Sequence, residues 1–221
     1  MRIAAALLLA LPAFGQVAAE ANKSYQSTEG RQRMVETLTG EHRDARQKPR
    51  ELIAALGIKS GMSVADVGTG PGYMLPFLCE AVGPAGKVYG EDIFPDFLAK
   101  AKQRAASCPN VTIVHGSEKT PNLDPNAVDL AIILDAYHHF DYPESMLAGV
   151  HKSLRAGGRL AIVDYYKRRG AMSNANPDFA ISHIRLDDAA VIREVEANGF
   201  KLVSNNPFLP GSQYMAIFEK R

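Results

Sequence analysis

Apolar positions in this chain fall into short, nearly continuous runs, separated by stretches with helical spacing. Residues 64–67, 87–92, 111–115, 128–134 and 160–163 are runs of strand length. Most are bounded by Gly, Pro, Asn or Asp, and the run at 128–134 is almost wholly apolar, as a buried parallel strand should be. Helical patterns fill the gaps: one beginning near Tyr73, then 93–106, 143–154 and 187–198. Pro143 near the start of the third and Gly157-Gly158 after it are the expected punctuation of a helix, and Gly199 stops the fourth. Residues 116–127 are too few, and too rich in Pro, Asn and Asp, for a full helix, so a loop is expected there. Two last strands, 200–204 and 213–218, follow one another through a loop containing Pro207 and Pro210. With no helix between them they must pair antiparallel. The alternation as a whole predicts an α/β domain with a mainly parallel sheet.

Composition adds bounds rather than detail. At 221 residues with 46% hydrophobic content the chain can bury one good core. A formal net charge of +1 gives no electrostatic reason to expect a nucleic acid. The basic clusters at 43–50, 152–155 and 167–169 are short, and no tryptophan is present to stack bases.

The most informative stretch joins the first strand to the first helix of the sheet domain: Val64-Ala65-Asp66-Val67-Gly68-Thr69-Gly70-Pro71-Gly72-Tyr73. A strand delivers a carboxylate, then turns through three glycines that let a ligand lie against main-chain amides. A dinucleotide fingerprint would need glycine where Tyr73 stands. Asp66 would repel a pyrophosphate and attract a cation. S-adenosyl-L-methionine, with a sulfonium, an ammonium and no phosphate, suits such a loop. One strand later, Gly90-Glu91-Asp92-Ile93 ends in acids. An acid at that strand tip can accept the two ribose hydroxyls of an adenosine. Glu91 and Asp92 point to opposite faces, so one of them is expected to do so and the other to be solvated.

On these residues the chain resembles the class I S-adenosylmethionine-dependent methyltransferases from about residue 50 onward. Within them it is most similar to the small-molecule enzymes of the ubiquinone-biosynthesis type. The resemblance implies a Rossmann-like seven-stranded, mainly parallel sheet with an antiparallel last strand and helices on both faces. It implies S-adenosyl-L-methionine as cofactor, held by Asp66, Gly68, Gly70 and Gly72. It selects Asp92 for the ribose and places Ile93 on the adenine. Many relatives carry an aspartate for the adenine amino group where this chain has Ser117, which accepts more weakly; Glu118 is the substitute beside it.

Ligands of such sheets bind at the carboxyl ends of the strands. There Asp135-Ala136-Tyr137-His138-His139-Phe140-Asp141 is the richest chemical cluster. Methyl transfer is an in-line displacement that needs alignment first, and then a base for an acceptor that carries a proton. His138 and His139 are the candidate bases, and for each a purely structural role carries equal weight. Asp135 is placed to support the methionyl end of the cofactor; Asp164 and His183 are further candidates. No metal is expected, because adjacent side chains at a strand end diverge and no second cluster has ligand spacing. Segments 21–49 and 165–186 are expected to cover a pocket for a small organic acceptor. Two other functions stay open: an exported, non-catalytic binding domain on the same fold, and a nicotinamide-dependent oxidoreductase, against which the glycine spacing and Asp66 argue.

The N-terminus reads separately. Arg2, an apolar run at 3–14 and small-x-small ends at Ala13-Phe14-Gly15 or Val17-Ala18-Ala19 have the form of a secretory signal, taken as residues 1–19. A disordered or docked apolar tail is the alternative. The run is shorter than the ~20 residues that span a bilayer. Residues 20–57 then form a helical cap and 58–221 the methyltransferase-like domain. Export would carry the chain away from the cytoplasm, where S-adenosylmethionine is made. Cys79 and Cys108 are expected on the same side of the sheet, as two unpaired buried side chains in preference to a disulfide.

Overall fold

The structure is a computed structural model that describes residues 16–40 and 42–221. The apolar run at 3–14 lies outside the described residues. At the N-terminal end come four helices, α1 (Ala19–Asn22), α2 (Thr28–Thr39), α3 (Arg43–Gln47) and α4 (Pro49–Leu56), with a 3-10 turn at Lys23–Tyr25. Strand and helix then alternate through β1 (Ser63–Val67), α5 (Leu75–Val82), β2 (Lys87–Asp92), α6 (Pro95–Arg104) and β3 (Val111–His115). The second half runs β4 (Val128–Leu134), a 3-10 turn at Tyr137–His139, α7 (Pro143–Ser153), β5 (Leu154–Tyr165), α8 (Phe179–His183), α9 (Asp188–Ala197), β6 (Phe200–Leu209) and β7 (Gln213–Lys220). Proline in the first turn of α4, α5, α6 and α7 uses positions whose N–H has no intrahelical partner.

The seven strands form one sheet in the order β3-β2-β1-β4-β5-β7-β6, and β7 runs antiparallel to both its neighbours. This is the Rossmann-like architecture expected from the sequence. Every residue of β1 is buried, because helices cover both faces. One face packs Leu52, Leu75, Leu78 and Val82 on the sheet; the other packs Leu147, Val150, Val191 and Val195. The chain moves outward from β1 through β2 to β3, then returns to the other side of β1 as β4. That reversal opens a crevice at the carboxyl ends of β1 and β4.

Three local expectations are corrected. Gly157-Gly158 do not end α7; they lie within β5, whose register against β4 jumps between Leu154 and Arg159. The glycines accommodate this bulge, which sequence punctuation cannot distinguish from a helix stop. Pro207 belongs to β6 rather than to the following loop, and an edge strand tolerates proline because one side of its ladder is unpaired. Cys79, on α5, and Cys108, just beyond α6, are joined in a disulfide with Cα atoms 6.1 Å apart, not left as separate thiols. Their placement on one side of the sheet was legible; the meeting of two separate helical elements was not.

Among the described residues no helix is long and apolar enough to cross a membrane.

Candidate active site

The turn after β1 takes its shape from its glycines: Gly68, Gly70 and Gly72 have φ of +74°, +57° and +83°. Gly68 N donates to a Glu91 oxygen (3.2 Å) and Gly70 N to Asp92 Oδ2 (2.8 Å), so the first turn is tied to the tip of β2. Thr69 Oγ1 donates to Asp66 Oδ2 at 2.6 Å. Beyond β4, Asp135 adopts a left-handed backbone (φ +52°) while its N–H bonds Val163 O at 2.9 Å.

These tips enclose a cavity of about 290 Å³, near the lower end for small-molecule sites. Asp66, Gly68, Gly70, Asp92, Ile93, Asp135 and His139 all line it. Gly72 does not. A Cβ there would stand 2.7 Å from Ala101 Cα, so Gly72 serves the close packing of α6 rather than the ligand. Ser117 is also absent from the lining: it is exposed, paired through its backbone with Thr120, and its hydroxyl accepts from Lys119 N. Glu118 reaches the cavity in its place.

Carboxylates dominate the floor. Burial raises Asp66 and Asp92 each to about 6, the Gly70 and Phe94 N–H groups holding Asp92 back from a larger rise. Burial likewise raises Asp135 to about 7, opposed by Arg43. Glu91 is not solvated as the sequence suggested. It is 1% exposed and raised well above the usual range, by burial and then by Asp92. At the carboxyl end of β2 the sheet is covered on both sides, and Gly90, Glu91 and Asp92 are all buried. Three buried acids and the part-buried Asp135 at one crevice form a site for positive charge.

The N-terminal helices close the cavity, and here the sequence was least informative. Arg43 is buried, sits 4.4 Å from the Tyr73 ring and pairs with Asp135 at 3.3 Å. Its Nε has no hydrogen-bond partner among the described residues. Gln47 and Gln213 complete this corner, Gln213 Nε2 donating to Asp135 Oδ1 at 2.6 Å. Tyr25 lies against Phe94, Phe97 and His139, fixed by Arg31, which binds Tyr25 O and Asp96. No periodicity or motif marked Arg43 or Tyr25. Of the two expected covers, the segment at 21–49 borders the cavity and the segment at 165–186 does not.

The two candidate histidines have different surroundings. His138 is 4% exposed and outside the cavity; its Nδ1 meets Asp164 Oδ1 at 2.7 Å and its backbone N meets Asp164 Oδ2 at 3.0 Å. His139 lines the cavity, with Nδ1 2.9 Å from Asn22 Oδ1. Burial, then the neighbouring His138 and His183, holds His139 well below the usual histidine range, and burial pushes His183 down to about 4. The rings of His138 and His139 do not diverge. The 3-10 turn over Tyr137–His139 keeps their centroids 4.1 Å apart, and His183 on α8 joins them. The sequence argument against a metal did not anticipate this convergence.

Residues 64–158 match the methyltransferase domain family. A protein of transposon TN4556 of Streptomyces fradiae is 33% identical over 118 residues, covering 53% of this chain and 34% of that one. The demethylmenaquinone methyltransferase of Staphylococcus epidermidis is 28% identical over 115 residues, 52% of this chain and 48% of that protein. The chain therefore spans between about a third and a half of the length of these curated relatives. Among solved structures, an S-adenosylmethionine-dependent methyltransferase from Aquifex aeolicus superposes with a TM-score of 0.77 at 23% identity, over 85% of this chain and 97% of that one. At that identity the likeness is one of fold.

Proposed function

We propose that this chain is a class I S-adenosylmethionine-dependent methyltransferase and moves the donor's methyl group to a small organic acceptor by in-line displacement. The observation that carries the reading is the crevice floor of Asp66, Glu91, Asp92 and Asp135, beside a glycine turn whose N–H groups are spent within the protein, those of Gly68 and Gly70 on Glu91 and Asp92. A donor with sulfonium and ammonium charges relieves the crowding of those acids, whereas a pyrophosphate intensifies it. Asp92 spends one lone pair on Gly70 N and one on Phe94 N, and retains capacity for ribose hydroxyls. Ile93 and Phe94 supply apolar surface for the adenine, and Glu118 an acceptor for its amino group. Arg43, whose Nε has no partner among the described residues, is the counter-charge for the donor's carboxylate.

Displacement at a sulfonium needs the acceptor held in line with the breaking carbon–sulfur bond. His139, Phe140 and Met146 share the cavity with the donor's groups and form the acceptor end. Asn22 Nδ2 donates to His139 O and to Asp141, which leaves Asn22 Oδ1 to accept from His139 Nδ1–H. The Nε2 of His139 then carries the lone pair, has no hydrogen-bond partner among the described residues, and stands as proton acceptor for a protic nucleophile. His138, outside the cavity, is a positioning residue.

Asp92→Ala is expected to weaken donor binding by about 1.5–3 kcal/mol, the scale of hydrogen bonds to a charged group. Calorimetry checks this, with a melting curve to show the variant is folded; unchanged affinity removes Asp92 from the site. Intact-complex mass spectrometry of the purified chain tests the reading itself, by showing whether the donor or its demethylated product copurifies.

The raised acids also set a pH dependence. Asp66 and Asp92 have folded-state values of about 6, above the unfolded carboxylate range. Their contribution to stability is fully present below the unfolded value, near 4, and is lost as pH rises through about 6. The ligand-free chain should therefore melt higher near pH ~5 than near pH ~7.5 as far as these two groups decide it. A cationic donor requires the ionised forms, so its own stabilising shift should be largest at the higher pH. Thermal melts with and without the donor decide; an equal shift at both pH values contradicts the assignment.

We also propose export through the N-terminal segment. Arg2, the apolar run at 3–14 and the small residues after it support this, as does the Cys79–Cys108 disulfide. Ala18 is 3% exposed and its N–H donates to Asp141 Oδ1 at 3.0 Å. Cleavage after Gly15 keeps that contact and cleavage after Ala19 removes it, which favours the earlier boundary.

A further inference from the structure

We propose that His138, His139 and His183 form a binding site for a divalent transition-metal ion of the zinc type, at the edge of the cavity. One nitrogen from each ring can be chosen so that all three lie within 4.8 Å of one another. The ring centroids are 4.1, 5.1 and 5.4 Å apart. Tetrahedral coordination at about 2.0–2.1 Å places ligand nitrogens roughly 3.3 Å apart, so small side-chain rotations close the set around an ion.

The surroundings separate this cluster from a chance meeting of histidines. Asp164 accepts from the backbone N–H groups of His138 and Tyr165, so it is an acceptor toward His138 Nδ1 as well. Asn22, whose amide donates elsewhere, accepts from His139 Nδ1. Both adjacent rings are therefore held in the tautomer that carries its proton on Nδ1 and its lone pair on Nε2. Among the described residues neither Nε2 has a hydrogen-bond partner. A carboxylate behind one ligating imidazole and a carbonyl oxygen behind another is the outer arrangement that orients histidines toward a metal. The third ring, His183, is stacked on Phe179 at 4.7 Å, which fixes its plane. Three neutral imidazoles and no thiolate suit a borderline ion rather than calcium or magnesium.

Ion binding stands independently of methyl transfer. His139 belongs to both descriptions, as ligand when the ion is present and as proton acceptor when it is not.

The test is calorimetric titration of the full, tag-free chain with Zn²⁺, and separately the visible absorption of the chain loaded with Co²⁺. The expected results are a single equivalent of bound ion and the intense visible bands of low-coordinate Co²⁺. His183→Ala should lower the affinity at least about tenfold, with a melting curve of the metal-free variant to show that it is folded. Asp164→Asn should lower it roughly 10–100-fold. If Asp164→Asn does not fold, His183→Ala alone decides. No Zn²⁺ uptake, or uptake that His183→Ala leaves unaltered, overturns the proposal.

Discussion

Replacing Cys79 and Cys108 together by serine is expected to cost the folded chain about 3.5 kcal/mol. The bridge closes a loop of sequence separation 29, and the chain-entropy estimate for a loop of that length gives roughly this figure. It ties α5 to the end of α6, two helices that pack on the β1–β2–β3 side of the sheet, so the loss falls on the half that carries the glycine turn and Asp92. Urea denaturation of the oxidised chain and of the double serine variant measures it. A midpoint that does not move would show that the bridge contributes nothing to the folded state. The same measurement bears on export: a chain that depends on this bond is at a disadvantage in a reducing compartment.

The second large effect is expected at Gly72. Alanine there must adopt φ of +83° and place its Cβ 2.7 Å from Ala101 Cα, a backbone-flanked atom that cannot step aside. Left-handed backbone costs an ordinary residue about 1–2 kcal/mol, and forcing a methyl into a filled contact about 1–3 kcal/mol. A loss of about 2–5 kcal/mol is expected in all, with donor affinity reduced only as far as α6 shifts the tip of β2. Comparison with Gly70→Ala distinguishes packing from binding. A Cβ at Gly70 has its nearest neighbour 3.6 Å away, at Leu38 Cδ1, and lies in the cavity wall. That variant should melt closer to the parent and bind the donor worse. If Gly72→Ala melts like the parent, the α6 packing described here is wrong.

How much of this could be read from the sequence follows from where the information is local. Strand β4 announces itself because a parallel strand covered on both sides must be apolar along its whole length, and the antiparallel ending follows from two strands with no crossover between them. Asp66 lines the cavity from the carboxyl end of a strand, where its position could be read; between Glu91 and Asp92 alternation left the choice open, and only the family resemblance singled out Asp92. Other features depend on which elements meet. Ser117 and Glu118 differ by one step in a loop, and only the fold decides which of them turns inward. Glu91 was misplaced because alternation says which face it takes but not that both faces are covered. Arg43 lies in a short helix with no apolar stripe to betray its burial. His183 stands far along the chain from His138 and His139, and the turn that holds those two rings together cannot be inferred from a strand pattern.

The central claim is that the acids at the tips of β1, β2 and β4 hold a positively charged adenosyl donor. Calorimetry of the full chain with S-adenosylmethionine, its demethylated product and a nicotinamide dinucleotide, run side by side, addresses it most directly. The account predicts saturable binding of the first two at one site per chain and none of the third. Binding of the dinucleotide with no heat from either adenosyl compound would contradict it.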